Sequence, residues 1–133
     1  MRYLLDSDTC IFAMKGRESV KRRMQEAGPD ECGISTVTAY ELFHGIEKCQ
    51  HPAVERRKVK RLLASVIVCG FDEEHAQEAA VVRAALEKRG EIIGPYDLLI
   101  AGHAKSVGAT LVTHNTDEFK RVAGLKIEDW MTD

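Results

Sequence analysis

The stretch LLDSDTCIF, residues 4–12, runs from two leucines directly into two aspartates, and the reading of that junction decides the fold. Leu4 and Leu5 continue Tyr3 as a short apolar strand, while Asp6 and Asp8 fall where the chain must turn. A carboxylate at the edge of a packed core costs several kcal/mol unless a cap, an ion pair or a cation answers it. Strands that end in functional acids belong to open α/β sheets, where ligands sit outside the carboxyl ends of the strands. Further short apolar runs support that class: Cys32–Ile34, Val66–Val68, Thr110–Val112 and Lys126–Glu128 recur between longer segments of helical period. The alternation predicts one α/β domain over residues 1–133, with a mainly parallel central sheet of four to five strands and helices on both faces.

The intervening segments carry helix punctuation. Ser35 is placed to cap a helix from Thr36 to Lys48, and Asp72 another that runs through Arg89 and closes on Gly90. In the second of these, Ala79, Val82 and Leu86 form an inward stripe, and Lys88 and Arg89 suit the negative end of the helix dipole. A third helix is expected near Asp97 after the turn Gly94-Pro95-Tyr96, with Leu98, Ile100 and Ala101 inward and Gly108 as its stop. Charge-dense helices around residues 17–26 and 53–64 read as a hairpin-like outwork.

The totals exclude several function classes. With 44% apolar and 30% charged residues in 133, neither disorder nor a fibre fits, and a net charge of -2 gives no general attraction to nucleic acid. Cys10, Cys32, Cys49 and Cys69 are widely spaced with no C-x-x-C pair, so each reads as a small buried hydrophobe in a reducing cytoplasm. No run approaches the length of a membrane span, and no signal peptide precedes Leu4.

Acids recur at the predicted strand ends. Asp6 follows the first strand, Glu41 lies about two turns into the helix after Ser35, and Asp97 stands at a helix start, where backbone N–H groups favour an anion. LVTHNTDEF, residues 111–119, leaves another strand and offers Thr113, Asn115, Asp117 and Glu118. Four acidic segments at one rim would repel one another unless divalent cations neutralised them, and oxygen donors select Mg²⁺ or Mn²⁺ over zinc. Paired ions of that kind hydrolyse phosphodiesters with no protein nucleophile. Each acid has a plainer reading alone: Asp6 a buried structural acid, Asp97 a helix cap, Thr38 and Thr113 core fillers or holders of a ligand carboxylate. Gly94 and Gly102 read as turn and close-packing residues.

LLDSDTCIF, ISTVTAYELFHGIEK, IGPYDLLIAGHAKSVGATLVTHNTDEF and LKIEDW, in that order, together resemble a PIN-domain ribonuclease of the VapC toxin family, from Tyr3 to Trp130. The resemblance implies a Mg²⁺-dependent endoribonuclease, with Mn²⁺ able to substitute, that cuts RNA, tRNA among the possible targets. It implies growth arrest cancelled by a VapB-type antitoxin, and a homodimer. Carried over by motif, Asp6, Glu41 and Asp97 are the acidic core, with Asp6 and Asp97 foremost as metal ligands. Two positions depart from the family's pattern. Its first motif usually reads D-T-N, whereas Ser7 and Asp8 stand here, and Asp8 is read as a cap for the next helix in preference to an extra ligand. Asn115 replaces a frequent fourth Asp, so Asn115 would orient the attacking water and Glu118 supply the outer carboxylate.

Other readings compete. LLDSDT also matches the D-x-D-x-T motif of haloacid-dehalogenase-like phosphatases, with Asp6 as nucleophile and Asp8 as general acid, but only Asp97 follows Gly94 where that family needs G-D-x-x-x-D. A non-catalytic RNA- or protein-binding module of the same fold is the third. Residues 55–61 hold five cations, and Lys21, Arg22 and Arg23 three more; they read as solvated helix faces or as flanks of a groove leading phosphates to the acids. His44, His51, His75, His103 and His114 are scattered, and His114 beside the rim is the one suited to touch RNA.

Overall fold

The computed structural model of the chain describes residues 1–132, so Asp133 of the expected domain lies outside the described residues. Five strands form one parallel sheet: β1 (Tyr3–Leu5), β2 (Cys32–Ser35), β3 (Ile67–Cys69), β4 (Thr110–Val112) and β5 (Ile127–Glu128), in the order β3-β2-β1-β4-β5. The first three strands step outward to one side of β1 and the last two to the other. The order therefore reverses between β1 and β4, and a crevice opens at their carboxyl ends. Side chains alternate across the sheet, so Leu4 and Leu111 pack into one core while Leu5 and Val112 pack into the other.

Seven helices connect and cover the strands: α1 (Ser7–Met14), α2 (Glu18–Ala27), α3 (Thr36–Lys48), α4 (Pro52–Ala64), α5 (Glu73–Arg89), α6 (Pro95–Val107) and α7 (Thr116–Phe119). α5 and α6 cover the face of Leu4 and Leu111, and Ala79, Val82, Leu86, Leu98, Ile100 and Ala101 are all buried. The two helices approach so closely that a Cβ on Gly102 would stand 2.5 Å from the backbone of Ala79. Ser35 caps α3 by accepting from the Val37 amide, and Asp72 caps α5, which ends on left-handed Gly90 at φ 67°.

Several boundaries differ from the sequence reading. Asp6, not Asp8, caps α1: Asp6 has the extended backbone of a cap (φ -78°, ψ 173°) and accepts from the Thr9 amide, which leaves Asp8 exposed in the first turn. α6 begins at Pro95, whose fixed φ suits a first helical residue, so Asp97 is its third residue. β3 starts at Ile67, one residue later than expected, in register with Gly33. The helices near 17–26 and 53–64 are no outwork. Val20 of α2 and Val59 and Leu62 of α4 enter the core, with α1 packed against both helices. Between α2 and α4 opens an apolar groove of about 400 Å³, edged by Lys21, Lys58 and Arg61. Two basic segments do flank a groove, but its lining includes Ala13 and Met14 at the far end of α1 from Asp6 and none of the rim acids. Cys10 and Cys32 are buried as expected, Cys49 and Cys69 are only half-buried, and all four are free thiols.

Candidate active site

Asp6 is fixed by the sheet itself. Its amide donates to the Val112 carbonyl at 3.0 Å, extending the β1–β4 pairing by one residue and setting Asp6 beside Thr113 at the crevice. Its Oδ1 accepts from the Thr9 amide at 2.9 Å, and the Thr9 hydroxyl donates to the Val112 carbonyl at 3.1 Å, which ties α1 to β4. The side chain is 4% exposed. Burial raises the carboxyl pKa, and bonds from Thr113 and Thr9 pull it back while Asp8 adds repulsion.

Glu41 leans toward Asp6 from α3. Burial raises its pKa, the Ser7 hydroxyl opposes the rise, and the charges of Asp8 and Asp6 add to it. Its Oε1 is buried with no hydrogen-bond partner among the described residues, as is the Oγ1 of Thr38 one turn earlier. Cys10 joins the three, its thiol pushed up first by burial and then by Asp6 and Glu41.

Asp97 enters from α6. Burial, then the charge of Glu118 and a hydrogen bond shared with it, then Asp6 and Glu41, push its carboxyl up to about 7. Glu118 is anchored in turn: Oε1 accepts from the Gly94 amide at 2.8 Å and Oε2 from the Asn115 side chain. The Asn115 amide donates to the Thr113 hydroxyl at 3.0 Å. The expected residues Asp6, Glu41, Asp97, Asn115 and Glu118 thus lie within electrostatic or hydrogen-bond reach of one another, and of the two readings of Thr113, core filler or holder of a carboxylate, its bond to Asp6 supports the second. Asp117 is exposed. His114 is paired with Asp129 at 3.0 Å and lies edge-on to Phe12, so its ring is already engaged. Sequence reasoning missed the holders Ser7, Thr9 and Gly94; a hydroxyl one and three residues after Asp6 was the available signal.

The bonds that reach these acids come from hydroxyls, amides and a neighbouring carboxyl, whereas the ion pairs of the described residues, such as Lys105–Glu78 and Arg89–Glu91, lie elsewhere. Such a cluster suits a hard divalent cation: the donors are all oxygen, Glu41 holds an unanswered buried oxygen, and the charges raise one another. As placed, no three His, Cys, Asp or Glu side chains among the described residues close around one point.

This arrangement sits on a sheet that the PIN domain family matches over residues 3–125. The chain belongs to that family. This PIN domain is 37% identical over 130 residues to the tRNA(fMet)-specific endonuclease VapC of Shigella flexneri, covering 98% of each chain. It is 34% identical over 133 residues to Ribonuclease VapC2 of Haemophilus influenzae, covering 98% of this chain and 99% of that one. Among solved structures, DNA-bound VapBC from Salmonella typhimurium superposes with a TM-score of 0.94 at 37% identity over 98% of both chains. VapBC2 from Rickettsia felis bound to a promoter DNA fragment gives 0.93 at 32% identity, over 98% of this chain and 99% of that one. Membership of the PIN family overturns the dehalogenase-like phosphatase reading of Asp6 and Asp8. No helix among the described residues is long and apolar enough to cross a membrane.

Proposed function

We propose that the chain is the toxin of a VapBC pair, a cytoplasmic endoribonuclease dependent on Mg²⁺, with Mn²⁺ able to substitute. It hydrolyses RNA phosphodiesters, tRNA foremost, and halts translation and growth until a VapB-type antitoxin covers it. The observation that carries the reading is the mutual electrostatic influence of Asp6, Glu41, Asp97 and Glu118, drawn from four chain segments toward the β1/β4 crevice with no basic group among the influences on Asp6, Glu41 and Asp97. The relatives named as VapC endonucleases and the VapBC complexes support substrate class and partner.

Asp6, Asp97 and Glu41 would hold the ion. When bound, it supplies charge neutralisation at the scissile phosphate and a more acidic attacking water. The rest of the work falls to fixed protein groups. Thr9 and Thr113 orient Asp6, and the Gly94 amide and Asn115 hold Glu118 where it can accept the proton of the attacking water. Asn115 orients that water through its amide. Hydrolysis forms a bond from the water oxygen to phosphorus and breaks one P–O bond, the departing oxygen taking a proton from solvent, with no covalent enzyme intermediate, consistent with thiols that are either buried or away from the acids.

The deciding experiment incubates purified protein with tRNA across a Mg²⁺ titration. Cleavage that EDTA and Asp97→Asn both abolish supports the reading. Cleavage that survives EDTA refutes the metal, and no cleavage with intact RNA binding leaves the non-catalytic module. Expression should arrest growth, and co-expression of the neighbouring antitoxin should restore it. Light scattering should find the free toxin as a homodimer.

A further inference from the structure

Among the described residues, four buried side-chain atoms lack a hydrogen-bond partner, and two of them stand one helical turn apart on α3. These are the hydroxyl of Thr38, a residue with 0% exposure, and Oε1 of Glu41. The first can donate and the second can only accept. A threonine in a helix ordinarily rests its hydroxyl on a carbonyl three or four residues back, here Ser35 or Ile34, and Thr38 does neither. A helical side chain leans toward the N-terminus over the preceding turn, so the Glu41 carboxyl is carried over Thr38. The other acids of the rim are already held. Asp6 takes bonds from Thr9 and Thr113, and Glu118 from the Gly94 amide and Asn115. Glu41 has the Ser7 hydroxyl from α1 and one buried oxygen still unanswered.

We propose that Thr38 is a positioning residue for Glu41: its hydroxyl donates to Oε1 and fixes the carboxylate so that its remaining lone pairs are free for the divalent cation. The inference rests on the metal-dependent reading and deepens it by naming the residue that sets one ligand. In the metal-free fold the hydroxyl brings no benefit, since it is desolvated and unpaired, and a valine has nearly the same shape without the buried polar atom. Its use lies in binding. A hydroxyl bonded to a ligand carboxylate holds the orientation that the ion needs and lowers the ordering cost of binding. Because Thr38 and Glu41 share one helix, the donor keeps its place beneath the carboxylate whatever α1 and α6 do. A carboxylate offers about four lone-pair sites, so the hydroxyls of Ser7 and Thr38 together still leave room for an ion.

The test sets stability against metal affinity, which a purely structural threonine would move together. Wild type, Thr38→Val and Thr38→Ser are compared by thermal melts in EDTA and by calorimetric titration with Mn²⁺. Thr38→Val should melt at or above wild type in EDTA, yet bind Mn²⁺ on the order of ten-fold more weakly. Thr38→Ser loses a buried methyl and should melt lower, yet keep its Kd within about three-fold. Cleavage of tRNA by Thr38→Val should fall at limiting Mg²⁺ and recover in excess, with KM for the RNA unchanged. A Thr38→Val protein that melts below wild type in EDTA would overturn the proposal, because the hydroxyl would then serve the fold itself. An unchanged Kd in Thr38→Val would overturn it too, as would a Thr38→Ser protein that loses as much affinity as the valine variant. If wild type binds no Mn²⁺, the metal-dependent reading fails and takes this one with it; wild-type binding beside an unaffected Thr38→Val removes the role of Thr38 alone.

Discussion

Replacing Asp97 by Asn should make the metal-free protein more stable while abolishing its activity. The Asp97 carboxyl is held at about 7 against an ordinary 3.8. At about 1.36 kcal/mol per pH unit, that difference has a ceiling of ~4 kcal/mol. The side chain is only half-buried, and solvent screening reduces the figure to ~1.5 kcal/mol. The folded state binds this proton more tightly than the unfolded chain, so wild-type stability falls as pH rises from about 4 to about 7 and is level above that. Asn cannot ionise, and the variant escapes the loss. In EDTA at about pH 8, thermal unfolding followed by circular dichroism should show Asp97→Asn melting ~5 °C above wild type, with the gap closing toward about pH 4. Adding Mg²⁺ should then raise the wild-type Tm by mass action and leave the variant nearly unmoved. A variant that melts at or below wild type at about pH 8, or a gap that persists in acid, would refute the claim that burial, helped by the neighbouring carboxylates, raises the Asp97 pKa in the folded state.

Asp6→Asn and Asp6→Ala should both abolish cleavage, yet only Ala removes the acceptor for the Thr9 amide; the Ala variant should be less stable than the Asn variant by ~1 kcal/mol in urea titrations. Gly102→Ala should cost ~2–3 kcal/mol, seen as a lower urea midpoint, and Ala79→Gly should not rescue it because the nearest atoms are backbone. His103 is fully buried, stacked on His75 at 3.9 Å, with both ring nitrogens unpartnered among the described residues, and its pKa is lowered from 6.5 to about 4, first by burial and then by His75. Its contribution is whole above about pH 6.5 and is lost as pH falls toward about 4, so His103→Phe should flatten that limb of the stability profile.

How much of this was readable in the letters depended on range. The parallel sheet was legible because each strand is a short apolar run next to a helix with its own cap, as Ile34-Ser35-Thr36 and Gly70-Phe71-Asp72 show. Asp6, Glu41 and Asp97 were legible jointly, since each alone has a plain structural use and only their recurrence after strands and at a helix start pointed to one rim. The cap of α1 was misassigned because two aspartates stand two residues apart and either can cap a helix. The choice was settled by β4, whose Val112 carbonyl binds the Asp6 amide and forces an extended backbone there. Of the two readings of the basic helices, solvated faces or flanks of a groove leading to the acids, the second fails because charge density along a helix does not say which way its apolar residues face. Burial of Val59 and Leu62 fixes that orientation. The Gly94–Glu118 bond spans twenty-four residues and had no local trace.

α1 has consequences beyond its eight residues. Its first turn is fastened to Asp6, and its last residues, Ala13 and Met14, form part of the wall of the groove between α2 and α4. An eight-residue helix is a rod of ~12 Å, with little axial give. Whatever wedges into that groove therefore leans on a lever whose other end is a carboxylate of the acidic rim, and a redesign of one place has to reckon with the other.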